Sequence, residues 1–333
     1  MPERIKVDIS FLTIVKVFLV AIIFFLLYWV RSVLLLVFIS LILAAAFQPA
    51  VRSWSKRVGK TIAVLILLAI FLIVLFGFFS LVVPLLVEQV KQLVADLPSY
   101  IDRFQAFRAH TPSVQRWLDS ASSSLSSAVG NVVNLTVSFV GGIISFFTVI
   151  ILTVYFLLDE KSFSNLPQNV FSEEKVGDAL MVIRKVSVKL GNWLRGQLLL
   201  GLIIAVLVYI GLTIMSVPYA LTIAVISGVL EIVPIVGPFI SGAIAALIAY
   251  SVSPILAVVV IIFYLIIQQL ENNLLVPKIM QKAIGLPPAI IIVGILVFGN
   301  LLGTVGALLA VPILGIIYVL YEERLAIKAI FTK

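Results

Sequence analysis

Glu231-Ile-Val-Pro-Ile-Val-Gly-Pro238 interrupts a hydrophobic run that otherwise has the composition of a membrane span. A carboxylate at that depth costs at least ~2.5–3.5 kcal/mol on insertion scales, so it marks a candidate functional site. Pro234 and Pro238 remove backbone donors and Gly237 loosens the chain, so the helix breaks here. The alternative is a kinked spanning helix in which Glu231 is a satisfied structural group.

The pattern repeats. A shift of 69 residues carries Glu231 onto Asn300, Pro234 onto Gly303 and Gly237 onto Gly306. The same shift carries Pro218-Tyr-Ala220 onto Pro287-Pro-Ala289. In both copies two short apolar arms flank a broken stretch. At ~1.5 Å per residue one arm spans roughly 15–20 Å, too little for a hydrocarbon core of roughly 30 Å. Both arms as one straight helix would be too long. A pair of re-entrant hairpins, 218–251 and 287–320, fits the lengths. Paired broken segments in corresponding positions point to a transporter's binding site.

Composition sets the class. The chain has 333 residues, 62% hydrophobic and only 11% charged, with one His and no Cys. Its mean hydropathy is +1.26. Soluble domains are nearer half apolar and a quarter charged, so this is an all-α polytopic membrane protein. About six full spans and two hairpins account for eight hydrophobic segments. The net charge of +8 suits anionic lipid at basic loops and needs no nucleic acid. The first apolar run is too long for a signal-peptide core and is read as a retained span.

The chain divides into an N-terminal three-span unit (1–86), an amphipathic helical insertion outside the cell (87–138) and a fourth span (139–158). A cytoplasmic amphipathic segment (159–196) leads into a transport core (197–321), and a cytoplasmic tail (322–333) closes the chain. Arg52, Lys56, Arg57 and Lys60 form the densest basic loop, which the positive-inside rule places in the cytoplasm with both termini. Val87, Val90, Val94, Leu97, Ile101 and Phe104 follow helical steps along the insertion. His110 lies in a polar loop and reads as solvated. Treating 218–251 as a hairpin puts Lys278 and Lys282 inside, as the same rule prefers. The two halves of the core are then an inverted repeat.

The polar residues of the core are few: Glu231, Gln268, Gln269, Glu271, Asn272, Asn273, Asn300 and Thr304. Pro234, Gly237 and Gly303 would free backbone carbonyls for a cation. Gln268 and Glu271, three apart, share a helix face. Desolvation penalises a carboxylate's charged form, which suits Glu231 to proton or ion coupling. Glu271 could instead end its span, where a carboxylate is cheap. The sequence contains no Gly-x-x-x-x-Gly-Lys-Ser/Thr phosphate loop, no His-Glu-x-x-His and no Gly-x-Ser-x-Gly elbow, so no enzyme or cofactor is expected.

Five stretches carry a family resemblance: Leu194-Arg-Gly-Gln197, Glu231 to Pro238, Gln268-Gln-Leu-Glu-Asn-Asn-Leu-Leu-Val-Pro-Lys278, Gly285-Leu-Pro-Pro288 and Gly306-Ala-Leu-Leu-Ala-Val-Pro312. In order and spacing they resemble the autoinducer-2 exporter family of prokaryotic membrane transporters. The resemblance implies a homo-oligomer in the cell membrane. It implies export of a small polar, sugar-like signal, or sodium(lithium)/proton antiport. Gln268 and Glu271 match the family's Gln…Glu pattern, whereas the place of Glu231 often carries Asn or Asp. The expected function is a secondary transporter that exports a small polar solute or signal, coupled to protons or sodium. The alternatives are a monovalent cation/proton antiporter and a structural membrane protein that transports nothing.

Overall fold

A computed structural model describes residues 11–104, 142–159, 173–234, 236–280 and 285–331. His110 and most of the 87–138 insertion lie outside them. Every described element is a helix or a turn. In chain order they are α1 (Phe11–Trp29), α2 (Arg31–Val58), α3 (Lys60–Phe104), α4 (Gly142–Leu158) and α5 (Glu173–Ile214). Then come α6 (Ala220–Leu230), α7 (Val236–Val252), α8 (Pro254–Leu270), a π-helical turn (Glu271–Leu275), α9 (Val276–Met280), α10 (Pro288–Glu322) and α11 (Arg324–Phe331). Among the described residues five stretches are long and apolar enough to cross a membrane: Arg31–Val58, Lys60–Ser80, Lys175–Ile214, Pro254–Met280 and Pro288–Glu322.

Helix α5 is the axis of the molecule. It packs against α2, α6, α8, α9, α10 and α11. The sequence places a change of environment near 196/197, from charged to apolar, but one 42-residue helix runs through it. Likewise α3 is continuous across 86/87. Composition reports what surrounds a helix, whereas its end depends on whether backbone bonds can continue. The amphipathic face expected along 87–104 concerns side chains outside the described set.

Both broken segments fold back on themselves. The arms α6 and α7 pack against each other around Ile223, Ala224, Ala245, Ile248 and Ala249. A Cβ on Gly237 would run into the carbonyl of Leu230, so only glycine lets the return arm start this close. In α10 the reversal is at Gly303 (φ 69°, ψ −155°). Gly294 abuts Leu314, and Gly306 lies against the carbonyl of Phe298, so residues on either side of the bend meet in antiparallel order. The glycines matched by the 69-residue shift, Gly237 and Gly306, therefore do the same work in the two segments.

Gly303 stands in a region of backbone space that other residues avoid, yet nothing lies within 4 Å of its would-be Cβ. Gly303→Ala is therefore expected to destabilise by ~1–3 kcal/mol through backbone strain alone. Gly299→Ala, whose Cβ would make an ordinary 3.6 Å contact with Ala307, should be near neutral. Thermal unfolding of the two variants in detergent checks the contrast.

Three clusters fill the interior. The largest joins α5, α6, α7 and α8 through Leu200, Ile204, Val208, Leu212, Val260 and Ile267. A second joins α2, α5 and α10 through Ile42, Leu190, Trp193 and Leu309. A third sits between α2, α3 and α4. Large apolar side chains also face outward, among them Phe239 (70% exposed) and Ile255 (78% exposed), as lipid contact or a neighbouring subunit requires. At one end, Lys185 pairs with Glu323, and Lys189 lies 3.8 Å from Glu322 and over the ring of Tyr318, tying α10 and its end to α5.

Candidate functional site

The site begins where α5 and α6 cross. A Cβ on Gly228 would lie 2.7 Å from the Gly201 carbonyl oxygen and 2.8 Å from the Ala205 Cβ. Two glycines thus let the backbones touch, as small residues do in membrane interfaces. One turn beyond Gly228, α6 ends at Glu231, whose N–H still donates to the Ser227 carbonyl at 3.0 Å. Pro234 then denies the chain a donor, and Val233 N–H bonds back to Leu230 at 3.0 Å before α7 begins. The break therefore leaves Glu231 at the tip of the hairpin, against α5.

Glu231 is 0% exposed. Its main-chain carbonyl accepts a hydrogen bond from Gln197 Nε2 of α5. Gln197 is itself 2% exposed, and its Oε1 has no partner among the described residues. A hydrogen-bonded tyrosine locks the surrounding arms. Tyr264 of α8 shares a 3.0 Å hydrogen bond with Ser227 of α6, and also reaches Ser241 of α7. Ser227 and Ser241 bond back to the carbonyls of Ile223 (2.8 Å) and Gly237 (3.0 Å) on their own helices.

The second carboxylate comes from the end of α8. Pro277 cannot donate to a helical carbonyl four residues back, and its ring crowds that position. The helix widens just upstream, where the Val276 N–H bonds to the Glu271 carbonyl five residues back. Such π-turns re-aim side chains and recur at functional sites. Here the turn turns Glu271 inward, to 3% exposure. The expectation that Glu271 could sit cheaply at a solvated helix end is overturned by this burial.

The carboxyl groups of Glu231 and Glu271 lie within hydrogen-bonding reach of each other, and Gln268 flanks Glu271. Both Glu231 oxygens and Oε2 of Glu271 have no donor beside them among the described residues. Two carboxyls can bond each other only with a proton between them. Two bare charges buried side by side would be strongly unfavourable. The pair therefore calls for a proton or a cation. Among the described residues the nearby cationic side chains are engaged elsewhere: Arg195 of α5 donates to the Ala46 carbonyl of α2 at 2.8 Å and to Asn192 at 2.7 Å, and Lys278 is exposed.

Of the residues singled out in the sequence, Glu231, Gln268 and Glu271 converge. Pro234 and Gly237 shape the hairpin tip around them. Asn272 and Asn273 are exposed and bond along their own helix, to Gln268 (3.4 Å) and Gln269 (3.0 Å). Asn300, Gly303 and Thr304 form the exposed tip of the second hairpin. That hairpin packs on α5 and α11 and shares no extended interface with the first among the described residues. The first tip meets the π-turn instead of the second tip. Sequence reasoning did not single out Gln197, Gly201, Gly228 or Tyr264 as parts of the site. Gln197 stood in plain view as a polar side chain opening an apolar span.

Long apolar helices and broken, folded-back segments packed around buried carboxyl groups define this molecule as a polytopic α-helical membrane protein. The family model for AI-2E family transporters matches residues 17–326, and the chain belongs to that family. It is similar to a Bacillus subtilis (strain 168) protein provisionally named as the transport protein YueF, with 30% identity over 83% of this chain and 80% of that one. It also resembles the Escherichia coli (strain K12) protein provisionally named as the permease PerM, at 24% identity over 84% of each chain. A third relative, from Halobacillus andaensis, is named a sodium-lithium/proton antiporter and is 25% identical over 87% of this chain and 89% of its own. The protein is thus a multi-pass membrane transporter.

Proposed function

We propose that this transporter exchanges a monovalent cation for protons, with Glu231 as the coupling carboxylate. The observation that carries the reading is a fully buried carboxyl with a second carboxyl, and no donor among the described residues, beside it. A site of two carboxyls beside the buried Gln197 amide oxygen offers oxygens to a cation, and it also holds protons. The relative named as a sodium-lithium/proton antiporter supports the same direction.

The exporter reading asks for a roomy pocket with several amide donors. Asn272, Asn273 and Asn300, the amides that favoured it, are exposed and do not converge. Export of a small polar, autoinducer-2-like solute therefore ranks second. It would use the same carboxylate for coupling and would draw its pocket from a neighbouring subunit. In either case the two hairpins act as re-entrant halves of an inverted repeat, with both termini in the cytoplasm of a prokaryotic cell and the chain as a homo-oligomer in lipid.

Purified protein in liposomes, with a trapped pH-sensitive dye and sodium, lithium or potassium added outside, tests the proposal. Sodium or lithium should move the internal pH, and empty liposomes should not respond. Well-folded protein that gives no response to any cation rejects the exchange reading. Counterflow of radiolabelled small polar solutes is then the decisive measurement for the exporter.

A further inference from the structure

We infer that Glu231 and Glu271 form one shared site whose total charge stays constant through the cycle, so that exchange is one cation for one proton and electroneutral. The inference rests on the exchange reading above and adds its ligand size, stoichiometry and second ligand residue.

The pair is sealed: Glu231 is 0% and Glu271 3% exposed. Arg195 and Lys278, the cationic residues nearest in the chain among the described ones, are occupied or exposed, so among the described residues no fixed positive charge offsets the site. In such an interior a change of one net charge is strongly unfavourable, because burial strips the ion of water and nothing fixed replaces it. Two loadings leave the site neutral. In one, each carboxyl holds a proton. In the other, one carboxyl keeps its proton and the other binds a monovalent cation. Converting one into the other releases one proton for each cation that enters. Release of both protons for a single cation would leave a net negative charge in the same place.

The geometry also limits the cation. Two carboxyls this close together can bridge only a small, dehydrated ion. Gln197 supplies the third oxygen. Its amide nitrogen is held by the Glu231 carbonyl, which fixes the amide beside the hairpin tip, and its Oε1 is buried without a partner. An oxygen-only set of this size suits sodium or lithium better than potassium, and Gln197 is a positioning and ligand residue within it.

The test measures the balance point of exchange in liposomes whose membrane potential is clamped with potassium and valinomycin. A roughly tenfold sodium gradient should be balanced by about one pH unit, at zero and at negative potential alike. A balance point that moves with potential overturns the inference while leaving cation/proton exchange standing. Absence of any sodium- or lithium-driven pH change overturns both. Glu271→Gln should abolish exchange, and Gln197→Ala should raise the sodium concentration for half-maximal rate by roughly tenfold, the loss of one ion–oxygen contact. Persistence of normal exchange in folded Glu271→Gln overturns the shared site. A measurement independent of variants is proton release from the detergent-solubilised wild-type protein when sodium is added. One proton per bound cation is expected, and two would overturn the constant-charge cycle.

Discussion

Glu231→Gln is expected to lower sodium- or lithium-driven proton movement by at least about a hundredfold, because a neutral amide can neither release a proton nor bind the cation as a carboxylate does. The amide is nearly the same size, so the packing of the hairpin tip survives. Its main-chain carbonyl still accepts from Gln197, and its N–H still bonds to Ser227. What disappears is the group that can both release a proton and bind a cation. The variant should therefore elute as a single species, unfold near the wild-type temperature and fail in the dye assay. Glu231→Asp keeps the chemistry but withdraws the carboxyl by one methylene, so it should retain partial exchange with weakened cation affinity. A folded Glu231→Gln protein with wild-type exchange would reduce Glu231 to a structural role.

The second large effect is at Gly228. Alanine there would place a methyl 2.7 Å from the Gly201 carbonyl and 2.8 Å from the Ala205 Cβ. The nearest of those atoms is backbone, so the helices must separate. One extra methyl in a close-packed contact costs ~1–3 kcal/mol, and leucine should prevent assembly of the core altogether. The damage is also functional, since a Cβ on Gly201, across the same contact, would lie 3.6 Å from the Glu231 Cβ. Moving α6 away from α5 pulls Glu231 from Gln197 and opens the carboxyl pair to water. Gly228→Ala should thus show both a lower unfolding temperature and impaired exchange. Gly142→Ala, with nothing within 4 Å of its Cβ, should show neither. Equal unfolding temperatures for the two variants would mean that the α5–α6 contact is looser than this.

The sequence by itself determined the class of protein and the places where its helices break. Mean hydropathy and the scarcity of charge dictate apolar helices, because a backbone in lipid must satisfy its own hydrogen bonds. Pro234, Gly237, Gly303 and Gly306 are local signals, since each acts on the backbone at its own position. The reversals at 231–234 and at Gly303 could therefore be read from a single strand of text, as could the burial of Glu231. The continuity of α3 and α5 could not. A change from charged to apolar residues at 196/197 registers a change of surroundings, and the helix hydrogen bonds pass through it unaltered.

Only the tertiary structure decided which polar groups meet. Glu271 is forty residues from Glu231, and nothing local states that the π-turn before Pro277 aims it at the hairpin tip. Nor does the text state that Gln197 reaches across to the Glu231 carbonyl, or that Tyr264 joins Ser227 and Ser241. These pairings follow from how closely α5 and α6 can approach at Gly201 and Gly228, a property of two surfaces together. The same reason explains the one expectation that failed to converge. The repeat makes the two tips alike in sequence, but the first packs against the π-turn while the second stays exposed, its hairpin meeting α5 through Leu309 and the end near Glu322 instead. Asn300 therefore shares Glu231's place in the repeat without sharing its environment.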